Sequence, residues 1–184
     1  MRVIAGSLKG RRLHTPAWDG LRPTSDKLRE TLFNILAPRL DGARALDGYA
    51  GTGAVGIEAL SRGAVHVTFV EQDRRAQALI ADNLAHCGLA DGYAIIRASV
   101  LRALDDLHAH AAAFDLILLD PPYGEPDDRL AAVLAQAADV VAPGGIIVLE
   151  HARKQPAPPS AGRLARTREV TSGDSALAFY ACPP

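Results

Sequence analysis

From Arg44 onward the chain alternates short apolar runs with amphipathic stretches, and this alternation restricts the fold more than any single motif. The apolar runs are Ala45-Leu46-Asp47, Val65–Glu71, Tyr93–Arg97, Phe114–Asp120 and Gly145–Glu150. Helical patterns fill the intervals at 54–62, 73–87, 99–109 and 127–141. Ala76, Leu79, Ile80, Leu84 and Cys87 share one helical face, and Gly88 suits the position just past a helix end. Leu116-Ile117-Leu118-Leu119 is apolar at consecutive positions, as expected of a strand covered on both faces of a parallel sheet. Strand and helix taking turns predict a doubly wound α/β domain with helices on both faces. Arg163–Thr171 and Ala176–Ala181 add a final antiparallel pair, which makes a mostly parallel seven-stranded sheet. The Pro-rich stretch Gln155-Pro156-Ala157-Pro158-Pro159 reads as a loop.

Ahead of this domain (residues 41–184), residues 1–40 form an extension of a different kind. Residues 2–6 and 11–14 are β-compatible around Gly6-Ser7-Leu8-Lys9-Gly10 and predict a small hairpin. Arg22-Pro23-Thr24-Ser25-Asp26 predicts a helix start, with Thr24 or Ser25 as cap and Asp26 at the positive end of the dipole. Leu28, Leu32, Ile35 and Leu36 then lie on one helix face until Pro38 ends it. The total charge of −1 conceals an asymmetry: residues 1–44 hold nine Lys/Arg against four acids, a net of +5 that leaves −6 elsewhere. Arg153, Lys154, Arg163, Arg166 and Arg168 form a second basic group. Such segments on a near-neutral domain point to an anionic partner at one face, or to ordinary solvated charge.

Other classes are excluded by simple counts. No apolar run approaches the roughly 20 residues of a membrane-spanning helix. Arg2, Lys9, Arg11 and Arg12 precede no apolar core of a secretion signal. Cys87 and Cys182 are distant in sequence with no CxxC partner, so the expectation is two reduced thiols in a cytoplasmic protein, with no disulfide framework and no metal site.

The first strand runs into Asp47-Gly48-Tyr49-Ala50-Gly51-Thr52-Gly53-Ala54-Val55-Gly56. Gly51, Gly53 and Gly56 match GxGxxG before a helix, where glycines let the backbone turn sharply and approach a ligand at the helix N-terminus. Glu71, at the end of the next strand, suits ribose hydroxyls. Asp47 faces the same ligand and discriminates between cofactors. A carboxylate there repels a dinucleotide pyrophosphate but suits the ammonium of S-adenosylmethionine. Tyr49 lies within the same turn, and Ser99, after the third strand, suits either an adenine contact or the cap of the next helix.

The fourth strand ends in Asp120-Pro121-Pro122-Tyr123. With each residue type near 5% abundance, a chance match in this chain is on the order of 1 in 1,000. Ligands of open α/β sheets bind beyond the carboxyl ends of the strands, so Asp120 and Asp47 should share one crevice. An aryl amino group is a poor nucleophile because its lone pair is delocalised into the ring. Accepting its two N–H groups at the Asp120 carboxylate and the Pro121 carbonyl favours a pyramidal nitrogen with its lone pair directed at a methyl donor. Pro121 and Pro122 stiffen the loop and add no competing N–H, and Tyr123 offers a face on which a base can stack.

With these motifs in place the sequence resembles the bacterial 16S rRNA (guanine-966-N2)-methyltransferases. The resemblance begins with Met1-Arg2-Val3-Ile4-Ala5-Gly6 and Lys9-Gly10-Arg11-Arg12-Leu13 and continues through Leu21-Arg22-Pro23-Thr24 and Arg29–Leu36. It extends through Gly51–Ala64, Asp120-Pro121-Pro122-Tyr123 and Glu150-His151. It implies a Rossmann-like class I methyltransferase fold, S-adenosylmethionine as donor, and a guanine in 16S ribosomal RNA as acceptor, presented within an assembled 30S subunit. The cofactor role then falls to Asp47, Gly51, Gly53 and Glu71, and the catalytic role to Asp120, Pro121, Pro122 and Tyr123. Arg11, Arg12, Arg22 and Arg29 become candidates for phosphate contacts, with Arg22 and Arg29 equally suited to internal structural roles. Gly48 departs from the bulkier apolar residue usual in the family, which predicts looser packing behind the turn. A monomer is expected.

Overall fold

A computed structural model describes residues 1–16, 18, 26–122 and 124–182, apart from the side chain of Ala161. The strands are β1 (Arg44–Gly48), β2 (His66–Val70), β3 (Tyr93–Ile96), β4 (Phe114–Leu119), β5 (Val141–Ala152), β6 (Ser160–Ala161), β7 (Leu164–Ser172) and β8 (Ser175–Ala181). The helices are α1 (Asp26–Leu36), α2 (Ala54–Ser61), α3 (Arg74–His86), α4 (Val100–Ala109) and α5 (Asp127–Val140). One sheet has the order β3-β2-β1-β4-β5-β8-β7-β6. The first five strands are parallel, and β8 and β7 are antiparallel to their neighbours. The seven expected strands are therefore present, and a two-residue β6 after the Pro-rich loop adds a short eighth at the edge.

Consecutive apolar residues in the strands serve two cores. Ala45, Val67, Phe69, Leu116, Leu118 and Val148 face α1, α2 and α3. Their neighbours Leu46, Val70, Ile117, Leu119, Ile147 and Leu149 face α4 and α5. A parallel strand has both faces covered, so its side-chain alternation divides apolar residues between layers instead of separating apolar from polar. α3 ends as the pattern predicts. Gly88 has φ +76°, and the Leu89 and Gly88 N–H groups donate to the Leu84 and Ala85 carbonyls at 3.0 and 2.9 Å, closing a Schellman motif. Within the stripe Ala76, Ile80, Leu84 and Cys87 are buried, and Leu79 is half-buried at its margin. β5 begins four residues before the expected run because α5 passes into it directly.

The N-terminal residues form a minimal hairpin with one bridge, Arg2 to Arg12, and backbone bonds from Val3 to Arg11 and from Gly10 to Val3, each 2.9 Å. Its apolar residues Val3 and Leu13 join the first core together with Leu28, Leu32, Phe33 and Leu36 of α1. The predicted cap residues Thr24 and Ser25 lie outside the described residues. What attaches the hairpin is largely polar. Glu58, fully buried on α2, accepts the Ile4 and Ala5 N–H groups at 2.7 and 3.0 Å and pairs with Arg62 at 2.7 Å. One turn later Ser61 accepts the Leu8 N–H at 3.0 Å and donates to the Ala5 carbonyl. Gly6 lies so close that a Cβ there would sit 1.8 Å from the Ser61 carbonyl oxygen.

Replacing Glu58 with Ala strands two amide donors and the guanidinium of Arg62. We expect a loss of about 3 kcal/mol in urea unfolding, with faster amide exchange at Ile4 and Ala5. Unchanged exchange at those two amides would mean the hairpin is held by its apolar contacts alone.

Candidate active site

The parallel strands end in line, and the polar candidates follow directly from their ends. In the register Gly48 pairs with Val70 on one side and Leu119 on the other. Glu71 and Asp120 are the next residues on those neighbours, and Asp47 precedes Gly48. The Asp120 N–H approaches the Gly48 carbonyl at 3.4 Å, so the double-proline loop leaves the sheet beside the glycine turn. Three carboxylates thus gather at one crevice, contributed by three adjacent strands.

Asp47 is 4% exposed, and one carboxylate oxygen accepts the Gly56 N–H at 2.8 Å, so it stabilises the start of α2 from beneath. Burial pushes its pKa up to about 7; the Gly56 bond opposes that shift, and the charges of Asp120 and Glu71 reinforce it. Glu71 is half-buried, and both of its oxygens hold backbone, accepting the Gly51 N–H at 2.9 Å and the Asp73 N–H at 2.8 Å. Each oxygen keeps acceptor capacity for a further donor. Gly51 and Gly53 have φ of +55° and +77°, which glycine adopts without strain. Gly56 has a packing role, since a Cβ there would lie 2.2 Å from the Phe69 ring.

Tyr49 also has a positive φ, +68°, unusual for an aromatic residue. Its hydroxyl is buried with no hydrogen-bond partner among the described residues, and burial, then the Glu125 charge, pushes its pKa up to about 12. Ser99 occupies the N-cap position of α4, and its side chain makes no capping bond. Pro121 is buried and Pro122 exposed, while Tyr123 and Arg22 lie outside the described residues. Gly48 does not loosen the turn as expected. The Leu119 side chain fills the space, with its Cδ2 only 2.7 Å from where a Cβ would stand.

Of the two roles open to Arg29, the structure selects the internal one. Arg11 and Arg12 are exposed. Arg29 is fully buried, with Nη2 donating to Asp26 at 2.9 Å and to the Arg2 carbonyl, so it takes the internal role and offers no surface for a phosphate. The second basic group is likewise largely engaged. Arg163 donates to the Ala138 and Val141 carbonyls, Arg166 to Ala157 and Glu169, and Arg168 lies 5.9 Å over the Phe179 ring. A cationic cleft does exist, of about 290 Å³, lined by Arg2, Lys9 and Lys27 together with Asp26 and Glu30. Arg29 already pairs with Asp26, which leaves the cleft net positive.

The family model described as "Conserved hypothetical protein 95" matches residues 1–181. The chain belongs to this family. Over 180 residues it is 40% identical to "Putative rRNA methyltransferase YlbH" of Bacillus subtilis, covering 98% of each chain. It is 36% identical over 157 residues to "Ribosomal RNA small subunit methyltransferase D" of Haemophilus influenzae, covering 85% of this chain and 81% of that one. The solved structure of "Putative methyltransferase yhhF from Escherichia coli" superposes with a TM-score of 0.81 at 33% identity, covering 98% of this chain and 96% of that one. The fold is thus the Rossmann-like class I methyltransferase fold.

Several residues of this family member escape a reading by motif. Asn83 is fully buried and joins hairpin to glycine turn: its carbonyl accepts the His14 N–H at 2.7 Å, and its amide donates to the Thr52 carbonyl at 3.0 Å. An Asn on the apolar face of an amphipathic helix was the available signal. Nothing in the sequence groups Arg2, Lys9 and Lys27 at one cleft, because their convergence depends on how the hairpin meets α1.

Asp47→Asn keeps an acceptor for Gly56 and removes the charge. Because the folded state holds the Asp47 proton more tightly than the unfolded chain, the associated stability is present below 3.8 and lost as pH rises through about 7. Without ligand, the wild-type chain should therefore fall in stability relative to Asp47→Asn across that interval and level off above it. Urea unfolding of both chains over the range checks this, and a difference independent of pH would mean a solvated carboxylate.

Proposed function

We propose that this chain transfers a methyl group from S-adenosylmethionine to the exocyclic N2 of a guanine in 16S ribosomal RNA, guanine 966 by resemblance. It acts as a cytoplasmic monomer on assembled small-subunit particles. The observation that carries this reading is the convergence of Asp47, Glu71 and Asp120 at the ends of three adjacent strands, beside a glycine turn. The relatives named as ribosomal RNA methyltransferases support the class of substrate. No described helix is long and apolar enough to cross a membrane.

The site suits the donor. A buried carboxylate whose charge is resisted by two others gains from a cation, and this discriminates against a pyrophosphate-bearing dinucleotide. S-adenosylmethionine brings the methyl group already activated as a sulfonium. Asp47 receives the ammonium end of the donor. Glu71 accepts ribose hydroxyls with the capacity left after binding Gly51 and Asp73, Ser99 offers its hydroxyl, and Tyr49 contributes through its place in the glycine turn. Asp120 and the Pro121 carbonyl accept the two N–H groups of the target amine and direct its lone pair at the methyl carbon, with Tyr123 as a stacking face. Asp120 then takes the proton the nitrogen sheds. No further activation is needed, so alignment supplies most of the rate.

Residues 1–40 serve as the RNA-contacting extension. Arg11 and Arg12 at the hairpin surface, with Arg2, Lys9 and Lys27 in the adjoining cleft, contact phosphates and position the RNA without reading its sequence. The base enters unstacked, which is easiest from a loop.

Asp120→Ala should lower methyl transfer to small subunits by about 10²–10³-fold while cofactor affinity, by calorimetry, changes little. Naked 16S RNA and assembled subunits offered in parallel, followed by nucleoside mass analysis, should yield N2-methylguanosine from the particles. N6-methyladenosine as the sole product would refute the substrate, and full activity of Asp120→Ala would refute the chemistry.

A further inference from the structure

The segment after β5 is anchored on one side to the antiparallel strands. Tyr180 donates its hydroxyl to the Pro158 carbonyl at 2.8 Å. Arg166 donates from its guanidinium to Ala157 at 3.0 Å and from its backbone to Pro159 at 2.9 Å. On its other side it meets the end of β5, where His151, 7% exposed, lies with Nδ1 at 2.8 Å from the Gln155 carbonyl and 3.1 Å from that of Ala152. Both partners are acceptors, so Nδ1 carries the proton. The Gln155 N–H returns to Ala152 at 2.9 Å and closes the turn. The Gln155 side chain is thereby fixed at its root.

From that root it crosses to the connection between β4 and α5, which carries Asp120 and the two prolines. Gln155 Nε2 donates to Asp127 Oδ1 at 2.8 Å and to the Glu125 carbonyl at 3.3 Å. The position is informative. α5 starts from Pro126, which offers no side-chain cap, and the connection contains Gly124 at φ +86°. Its near end is tied to the sheet by the Asp120 N–H at the Gly48 carbonyl, 3.4 Å, and the bond from the Glu125 N–H to the Pro122 carbonyl, 3.1 Å, fixes a turn between. Gln155 supplies a tie at the far end, where the connection becomes helix.

The geometry points to Gln155 as a positioning residue for the methyl transfer, with His151 holding Gln155 in place. This rests on the reading of Asp120 as the acceptor for the target amine. Gln155 touches neither reactant; it sets the position of the Asp120–Pro122 stretch relative to the glycine turn. A displacement on the order of 1 Å in such a stretch costs about 10²-fold in rate, because the lone pair and the methyl carbon no longer align. The effect therefore belongs in kcat rather than in the binding of either substrate.

Gln155→Glu keeps the shape, removes the donor and sets a carboxylate against Asp127. We expect kcat for small subunits to fall by about tenfold or more, with KM and cofactor affinity within about twofold. Adding Asp127→Asn reverses the pair, since the new amide donates to the new carboxylate, and should recover most of the lost kcat. If Gln155→Glu lowers the melting temperature, Gln155→Met removes the donor without adding charge and serves in its place. An unchanged kcat in a folded variant overturns the proposal, as does a loss that appears in KM alone or is not relieved by Asp127→Asn. Asp120→Ala run alongside separates the two readings. If it retains activity, the catalytic assignment fails; if it is inactive while Gln155→Glu matches wild type, only the positioning role fails.

Discussion

The structure is organised around a buried carboxylate that the fold satisfies only in part. Among the described residues Asp47 has one backbone partner, Gly56, and two acidic neighbours across the crevice, and burial makes its charge costly. The surrounding glycine turn follows from this arrangement. Gly56 must approach closely enough to donate, which places α2 against Phe69 and leaves no room for a Cβ. Gly51 must turn back far enough for its N–H to reach Glu71, twenty residues later in the chain. The turn is therefore held open by carboxylates on both flanks, and its electrostatics favour a cation before any ligand arrives.

The same turn is where the N-terminal extension is attached. Glu58 and Ser61 hold the hairpin from α2, and Asn83 joins His14 to Thr52 within the turn itself. Met1 also reaches Thr52, with its sulfur 4.0 Å from the hydroxyl. A cationic surface fastened at these points cannot shift independently of the glycine turn. RNA docked on the hairpin as proposed would be held at a fixed distance from the strand ends, which is what a reaction governed by alignment requires.

Much of the fold was legible because strand and helix leave different periods in the sequence, and the parallel sheet leaves apolar runs with no polar alternation. The strand-end acids were legible because their positions relative to those runs are fixed by the register. What the pattern could not supply is the destination of a polar side chain whose partner lies elsewhere in the chain. For Arg29 the sequence left a phosphate contact and an internal role equally open, and the Arg2 carbonyl decides it; Arg163 gives its guanidinium to the end of α5. Glu58, Asn83 and Gln155 carry no motif, and each gains its role from a loop brought to it by tertiary packing. Gly48 failed for the opposite reason: its missing side chain suggested a gap, but Leu119 of the neighbouring strand fills it.

A reacting centre that pairs a carboxylate with a proline carbonyl, as proposed for Asp120 and Pro121, is limited in what it can recognise. Two acceptors bind the two N–H groups of any exocyclic amine, whether on guanine or adenine, and so they read the amino group without the ring that carries it. Contacts to phosphates are equally indifferent to sequence. Discrimination must then come from which nucleotide the folded RNA can bring, unstacked, to a crevice at a set distance from the hairpin. For an enzyme built as proposed, specificity lies in the rigidity of the connection between docking surface and strand ends. On that reading the polar attachments of the hairpin contribute to selectivity alongside the residues that touch the base.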